Sequence, residues 1–234
     1  MNYMTLGMEN MLTISLAIIG TVIVLYAQLK IQCNYRKYKM ISCKKNLTGF
    51  DVARMILDQN GLNHVHIVEI SGELTDHYDP TRKVVRLSKD IFHNNSIASI
   101  SVAAHECGHA IQDKENYSFM RIRASLVPFV NFISGAGFLV ILISLVAGIT
   151  GYLIYGILMI LVTLLFQLVT LPVEFDASKR ALEQLKKLDL VDQGEIEGAT
   201  NVLKAAALTY VASVISSILS LLRLIIMYRD EKDR

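Results

Sequence analysis

The sequence predicts a mostly α-helical membrane protein with three to four transmembrane helices and a small α+β domain outside the membrane. Hydrophobic residues make up 53% of its 234 residues and charged residues only 19%, whereas soluble domains average about 25% charged residues. In addition, three long stretches without any charged residue, at 11–29, 124–173 and 205–222, are separated by mixed polar segments. This alternation is typical of membrane helices that flank a folded polar domain.

Charge and cysteine content argue against a nucleic-acid-binding protein and against a disulfide-stabilised protein. The net charge is only +2, and no basic cluster alternates with aromatic residues, so we expect no nucleic-acid partner. The three cysteines, Cys33, Cys43 and Cys107, form neither a CxxC pair nor a disulfide framework. Such free thiols are typical of a reducing compartment.

Residues 11–29 predict the first transmembrane helix, preceded by a short tail at 1–10. Nineteen uncharged residues are enough to cross about 30 Å of hydrocarbon as a helix, and nothing basic precedes them, as it would in a signal peptide. Basic residues follow instead: Lys30, Arg36, Lys37, Lys39, Lys44 and Lys45. We therefore expect a permanent anchor. By the positive-inside rule, the basic residues place its carboxyl end in the cytoplasm.

Residues 30–123 predict the cytosolic part of the chain. An amphipathic helix is expected after Thr48, with Gly61 at its end. Short strands are expected at 65–68 and 83–88, where β-branched residues are bounded by turn residues. We expect a further helix after Asn94, Asn95 or Ser96, each of which is a suitable N-cap. The first residues of this helix are small and apolar.

This last helix carries the sequence His-Glu-Cys-Gly-His at 105–109. Two histidines four residues apart project from one face of a helix, about 40° apart around its axis. Both imidazoles of His105 and His109 can therefore reach one metal ion, and zinc is the usual occupant of such a pair. Glu106 lies on a neighbouring face, where it can deprotonate a water molecule without being a ligand.

The uncharged stretch at 124–173 predicts a hairpin of two transmembrane helices joined near residues 148–151. A hairpin returns the chain to the side that it left.

A catalytic zinc ion needs a third protein ligand, and the metzincin pattern fails because Gln112 and Glu115 occupy the required glycine and histidine positions. The first acidic residues after the hairpin are Glu174 and then Asp176, on the same side as the histidine pair.

The remaining chain is charged and helical and then apolar again. We expect a cytosolic helix at 174–204, a fourth transmembrane or membrane-associated helix at 205–228, and a tail at 229–234.

Three segments together resemble the YugP-type membrane zinc metallopeptidases of bacteria. These are VAAHECGHAIQ at 102–112, DHYDP at 76–80 with RLS at 86–88, and LPVEFDAS at 171–178. The layout is also similar to that of the HtpX and CAAX prenyl protease clan, in which membrane helices separate HExxH from a later glutamate. The resemblance implies a zincin-like (gluzincin) domain with His105, His109 and Glu174 as zinc ligands and Glu106 as the general base.

One position departs from the HtpX-like pattern E-F-x-A-D. Ser178 stands where that pattern has an acid, and the nearby acid is Asp176. Either residue is therefore a candidate partner for the ligand histidines. His77 and Tyr78 are candidates for stabilising the oxyanion that forms during hydrolysis.

The resulting functional expectation is a membrane-bound zinc metalloendopeptidase that requires Zn²⁺ and acts on protein or peptide substrates. We expect its site on the cytoplasmic side of a bacterial cell membrane, with unfolded or membrane proteins as substrates and with the strand at 83–88 pairing with an extended substrate. Two alternatives stay open at this point: an intramembrane metalloprotease, and a membrane protein that binds a metal without catalysis.

Overall fold

The computed structural model describes residues 3–146, 151 and 153–232, which form seven helices and three strands. The helices are α1 (Tyr3–Lys39), α2 (Gly49–Gln59), α3 (Lys89–His93), α4 (Ile97–Lys114), α5 (Ser118–Val146), α6 (Leu153–Lys187) and α7 (Gln193–Lys232). The strands are β1 (His66–Ile70), β2 (His77–Asp79) and β3 (Val84–Ser88).

The chain folds as two compact units. The helical unit comprises Met1–Gln28, Ile122–Thr170 and Thr209–Arg234, and the sheet unit comprises Leu29–Arg121 and Leu171–Leu208. Every candidate site residue from the sequence lies in the sheet unit.

Three helices in the described part of the chain are long and apolar enough to cross a membrane, by length and composition. They are Asn10–Lys39, Leu153–Lys187 and Gln193–Asp230. This agrees with the lower end of the expected three to four. A further span in the first arm of the 124–173 hairpin stays a prediction, and most of the expected turn at 148–151 lies outside the described residues.

The long helices do not end where the sequence suggested a change from membrane to cytosol. Helix α6 continues through the boundary expected at 173/174, and α7 continues through that expected at 204/205. There is no glycine between Gly156 and Gly194 to end a helix, and Pro172 is accommodated inside α6. The break falls at 188–192 instead, where Asp189 adopts a positive φ of 51° and the Leu190 N–H donates to the Leu185 carbonyl.

The sheet has the order β1-β3-β2, with β1 parallel and β2 antiparallel to β3. Strand β3 is therefore central and has neighbours on both sides. The expectation that residues 83–88 offer a free edge to a substrate is wrong, because β1 and β2 pair with the two sides of β3. The three-residue strand β2 was not expected from the sequence. The edges belong to β1 and β2.

Helices α2, α3 and α4 pack with this sheet to form the core of the unit. Helix α2 begins with the expected cap: the Asp51 N–H donates to the Thr48 hydroxyl, and the Thr48 N–H donates to the Asp51 carboxylate. Ser96 caps α4 in the same way by accepting a hydrogen bond from the Ser99 N–H. The Ser96 cap fixes where α4, the helix that carries the two histidines, begins.

A close approach between α4 and α6 positions the candidate site. A Cβ atom added at Gly108 would lie only 2.5 Å from the Ala177 carbonyl oxygen. Ala104, Ala177 and Ala181 are fully buried. Only small residues allow two helix backbones to come this close, so the glycine between the two histidines brings α6 against the metal-binding face of α4.

Candidate metal centre

His105 and His109 lie one turn apart on α4, with ring centroids 4.7 Å apart and ring planes at 82°. The Nε2 atoms of both rings point at one oxygen of the Glu174 carboxylate on α6. The distances from Oε2 of Glu174 are 3.3 Å to His105 and 3.6 Å to His109. All three side chains are largely buried, with exposed fractions of 14%, 10% and 4%.

This arrangement fits a tetrahedral metal ion. Zinc binds imidazole nitrogen and carboxylate oxygen at about 2.0–2.2 Å, so neighbouring ligands of a tetrahedron stand about 3.3–3.6 Å apart. The two histidine–glutamate distances fall in that range, and one ligand atom from each of the three side chains lies within 4.8 Å of the others. Two imidazoles and one carboxylate are also the ligand set of many catalytic zinc sites.

Glu106, the candidate base, is buried next to the histidines, with 7% of its surface exposed. Asp76 lies near enough for their charges to interact. Burial and then the charge of Glu106 raise the pKa of Asp76, against the hydrogen bonds that it accepts from Ser88. The loop before β2 thus places a second carboxylate close to Glu106.

Each histidine has its own hydrogen-bond partner at Nδ1. Nδ1 of His105 is hydrogen-bonded to the Ser178 hydroxyl at 3.2 Å. Nδ1 of His109 is 3.0 Å from Oε1 of Gln112, one turn further along α4. Ser178 was one of two candidates from the sequence for this role, whereas Gln112 was missed.

Asp176, the other candidate, reaches His109 only through Gln112. Nε2 of Gln112 donates to the Asp176 carboxylate at 2.9 Å and to the Val173 carbonyl at 2.7 Å. Arg180 donates to the same Asp176 oxygen. The link between Asp176 and His109 therefore runs through the Gln112 amide.

Burial alone lowers the pKa of His109, but the Glu174 carboxylate, 3.6 Å from its Nε2, outweighs that effect. The pKa of His109 is therefore raised above its ordinary value in the metal-free protein. A protonated imidazole suits this position, because it can donate from Nε2 to Glu174 and from Nδ1 to Gln112.

His77 and Tyr78, the oxyanion candidates, lie on β2 with other partners. The Tyr78 hydroxyl donates to the Asp113 carboxylate at 2.7 Å, and burial together with this hydrogen bond raises the pKa of the phenol. The exposed His77 ring is hydrogen-bonded through Nδ1 to the Thr75 carbonyl. These contacts do not support an oxyanion role, which stays a prediction.

Cys107 stands between the two histidines in sequence but not in space. Its side chain is fully buried, and its thiol faces the Ala53 carbonyl of α2 at 3.6 Å. Burial raises the pKa of this thiol well above its ordinary value. Cys107 is a core residue of the α2–α4 contact.

Comparison with known proteins agrees with this geometry. Residues 13–229 match the profile of a family described as "Putative neutral zinc metallopeptidase". The chain is 42% identical over 223 residues to the "Putative membrane protease YugP" of Bacillus subtilis (strain 168), covering 95% of this chain and 99% of that protein. No solved structure matches the chain. The family match and the identity over nearly the whole length show that the chain belongs to this neutral zinc metallopeptidase family.

Proposed function

We propose that the protein is a membrane-bound zinc metalloendopeptidase in which His105, His109 and Glu174 hold the zinc ion and Glu106 is the general base. The observation that carries the proposal is the convergence of both Nε2 atoms on one Glu174 oxygen, at tetrahedral spacing. A buried Glu106 beside this cluster adds what a purely structural metal site does not need.

Zinc, when bound here, supplies the Lewis acidity that makes a water molecule acidic and polarises a peptide carbonyl. The residues of the chain divide the remaining work. Glu106 accepts the proton of the attacking water and passes it to the leaving amine, which general acid–base catalysis requires of one group within hydrogen-bonding reach.

We propose unfolded or membrane proteins as substrates. The sheet supports this, because β2 forms one edge and lies against α4, the helix that carries the two histidines. An extended chain can add to such an edge through main-chain hydrogen bonds. A folded domain offers no free strand for this pairing, so the geometry favours flexible segments.

We also propose that the site lies on the cytoplasmic side of a bacterial cell membrane. The basic residues that follow the first candidate span support this orientation, and the Bacillus subtilis relative is named a membrane protease. A cysteine at Met40, whose exposed fraction is 82%, would report the orientation in a Cys33→Ser background. A membrane-impermeant maleimide should label it only after the cells are permeabilised, and labelling of intact cells would contradict the proposed side.

The Glu106→Gln variant tests catalysis. The full-length protein, purified in detergent and loaded with zinc, should cleave a fluorescently labelled unfolded protein such as casein. Glu106→Gln should keep about one zinc ion per chain but lose cleavage by at least about a hundredfold, the contribution expected of a general base. The control is Glu183→Gln, the same change at an exposed position of α6. Cleavage by Glu106→Gln at the wild-type rate would show the proposed mechanism to be wrong.

A further inference from the structure

The side chain of Gln112 is fully buried at the end of α4 and uses both ends of its amide. Oε1 faces Nδ1 of His109 at 3.0 Å. Nε2 faces the Val173 carbonyl at 2.7 Å and the Asp176 carboxylate at 2.9 Å. An amide buried in this way, with three partners, is costly to leave incompletely paired.

These partners fix the direction of the amide. A peptide carbonyl can only accept a hydrogen bond, and the carboxylate of Asp176, which also accepts from Arg180, acts as an acceptor here. Nε2 must therefore face Val173 and Asp176, because the reversed amide would set its oxygen against two other acceptors. Oε1 must then face His109.

The direction of the amide in turn fixes the tautomer of His109. Because Oε1 of Gln112 can only accept, Nδ1 of His109 must carry a hydrogen. The neutral imidazole then has its lone pair on Nε2, the atom that faces Glu174. That is the form in which a histidine binds a metal through Nε2.

We propose that Gln112 is the positioning residue of this site and that its amide holds His109 in the tautomer and orientation that bind zinc. The amide is anchored by Val173 and Asp176, and Asp176 is held in turn by Arg180. The inference rests on the proposed zinc site and names what orients one of its ligands. Partners of this kind are more often carboxylates or backbone carbonyls. A neutral amide supplies the acceptor without adding a negative charge next to the ligands, and the charge of Asp176 stays one hydrogen bond further away.

His105 is held in a different way. Its partner Ser178 has a hydroxyl, which can donate or accept and therefore selects no tautomer. Of the two histidines, His109 is therefore the one whose partner fixes its tautomer.

The test compares zinc affinity among variants of the full-length protein in detergent, by competition with a chromophoric chelator. Gln112→Met keeps the length of the side chain but cannot accept from His109, and we expect it to weaken zinc binding about 10- to 100-fold. Gln112→Glu keeps an acceptor for His109 but sets its second oxygen against the Val173 carbonyl and the Asp176 carboxylate, so it should also bind zinc less tightly than the wild type. The control is Gln184→Met, which removes a hydrogen bond to Asn60 elsewhere in the unit and should change the affinity less than about twofold.

The absorption spectrum of the cobalt-substituted protein provides a second readout, because it reports ligand geometry. Gln112→Met should change this spectrum, and Gln184→Met should not. The proposal is overturned if Gln112→Met matches the wild type in zinc affinity and cobalt spectrum.

Two further measurements separate this proposal from the one on which it rests. If His109→Ala binds zinc as tightly as the wild type, the proposed zinc site itself is wrong. Wild-type protein with ¹⁵N-labelled histidine tests the tautomer without a Gln112 variant, so the test holds even if Gln112→Met does not fold. In the zinc-free protein, at a pH where His109 is neutral, Nδ1 should carry the hydrogen, and a bare Nδ1 would overturn the proposal.

Discussion

The two histidines of one short motif are supported in different ways. Ser178, a single hydroxyl on α6, meets His105. His109 is met by Gln112 on its own helix, and Gln112 is held in turn by Val173 and Asp176 on α6. One ligand thus depends on one contact, and the other on a connected chain of contacts. The difference indicates that the site is rigid on the His109 side and adaptable on the His105 side.

The largest effect should come from a change that breaks both sides together. Replacing Gly108 with valine would force a side chain into the Ala177 backbone, where even a Cβ atom lies 2.5 Å from the carbonyl oxygen. Helix α6 would have to move away and take Glu174, Asp176 and Ser178 with it. We expect complete loss of stoichiometric zinc and a stability loss of about 1–3 kcal/mol or more, measured by metal analysis and by thermal unfolding.

Gly194→Ala is the matched control for that variant. Nothing lies within 4 Å of an added Cβ at this helical, exposed position of α7. An alanine there should leave zinc binding unchanged and leave stability equal or slightly higher. A Gly108→Val protein with normal zinc content would show that the close approach of the two helices is not required.

Changes confined to one side should have intermediate effects that differ between the sides. Asp176→Ala removes an anchor of Gln112 and should weaken zinc binding by about tenfold, while Ser178→Ala should weaken it by about threefold or less. Residues of one network couple, whereas independent residues add. The effects of Asp176→Ala and Gln112→Met should therefore be less than additive, and those of Ser178→Ala and Gln112→Met additive, in a double-mutant cycle of chelator-competition affinities. Additivity of the first pair would contradict a connected chain.

The last effect is a pH dependence that comes from the proton on His109. Its pKa is raised in the metal-free protein, so a proton on this histidine stabilises that state at low pH, and the contribution is lost as the pH rises through the raised pKa. Zinc must displace this proton. The apparent zinc affinity should therefore fall by up to about tenfold per pH unit as the pH drops below the raised pKa. Calorimetry in buffers of different ionisation enthalpy measures the released protons, and zinc binding without proton release near neutral pH would contradict this prediction.

Much of the site follows from local rules in the sequence. The spacing of His105 and His109 places them on one face of a helix wherever that helix packs. The absence of any other acid between residues 124 and 173 left Glu174 and Asp176 as the first candidates, and the structure brings Glu174 to the histidines. Capping residues likewise indicated where the helices before the site begin.

The parts that could not be predicted depend on contacts between distant segments. Gln112 pairs with Val173 and Asp176, 61 and 64 residues away, so its role appears only once α4 and α6 have packed. The available signal for this role was a glutamine one turn after the second histidine, but an isolated glutamine is usually a surface residue. The three-residue strand β2 is too short to show periodicity, and missing it made β3 look like an edge.

X-ray absorption at the zinc edge of the full-length, zinc-loaded protein tests the central claim most directly. We expect one zinc ion per chain with two imidazole nitrogens, from His105 and His109, and with oxygen ligands at about 2.0–2.2 Å. Glu174→Ala should lower the zinc content or change this shell. Sulfur scattering at about 2.3 Å, which would implicate Cys43 or Cys107, or a shell without imidazole, would contradict it.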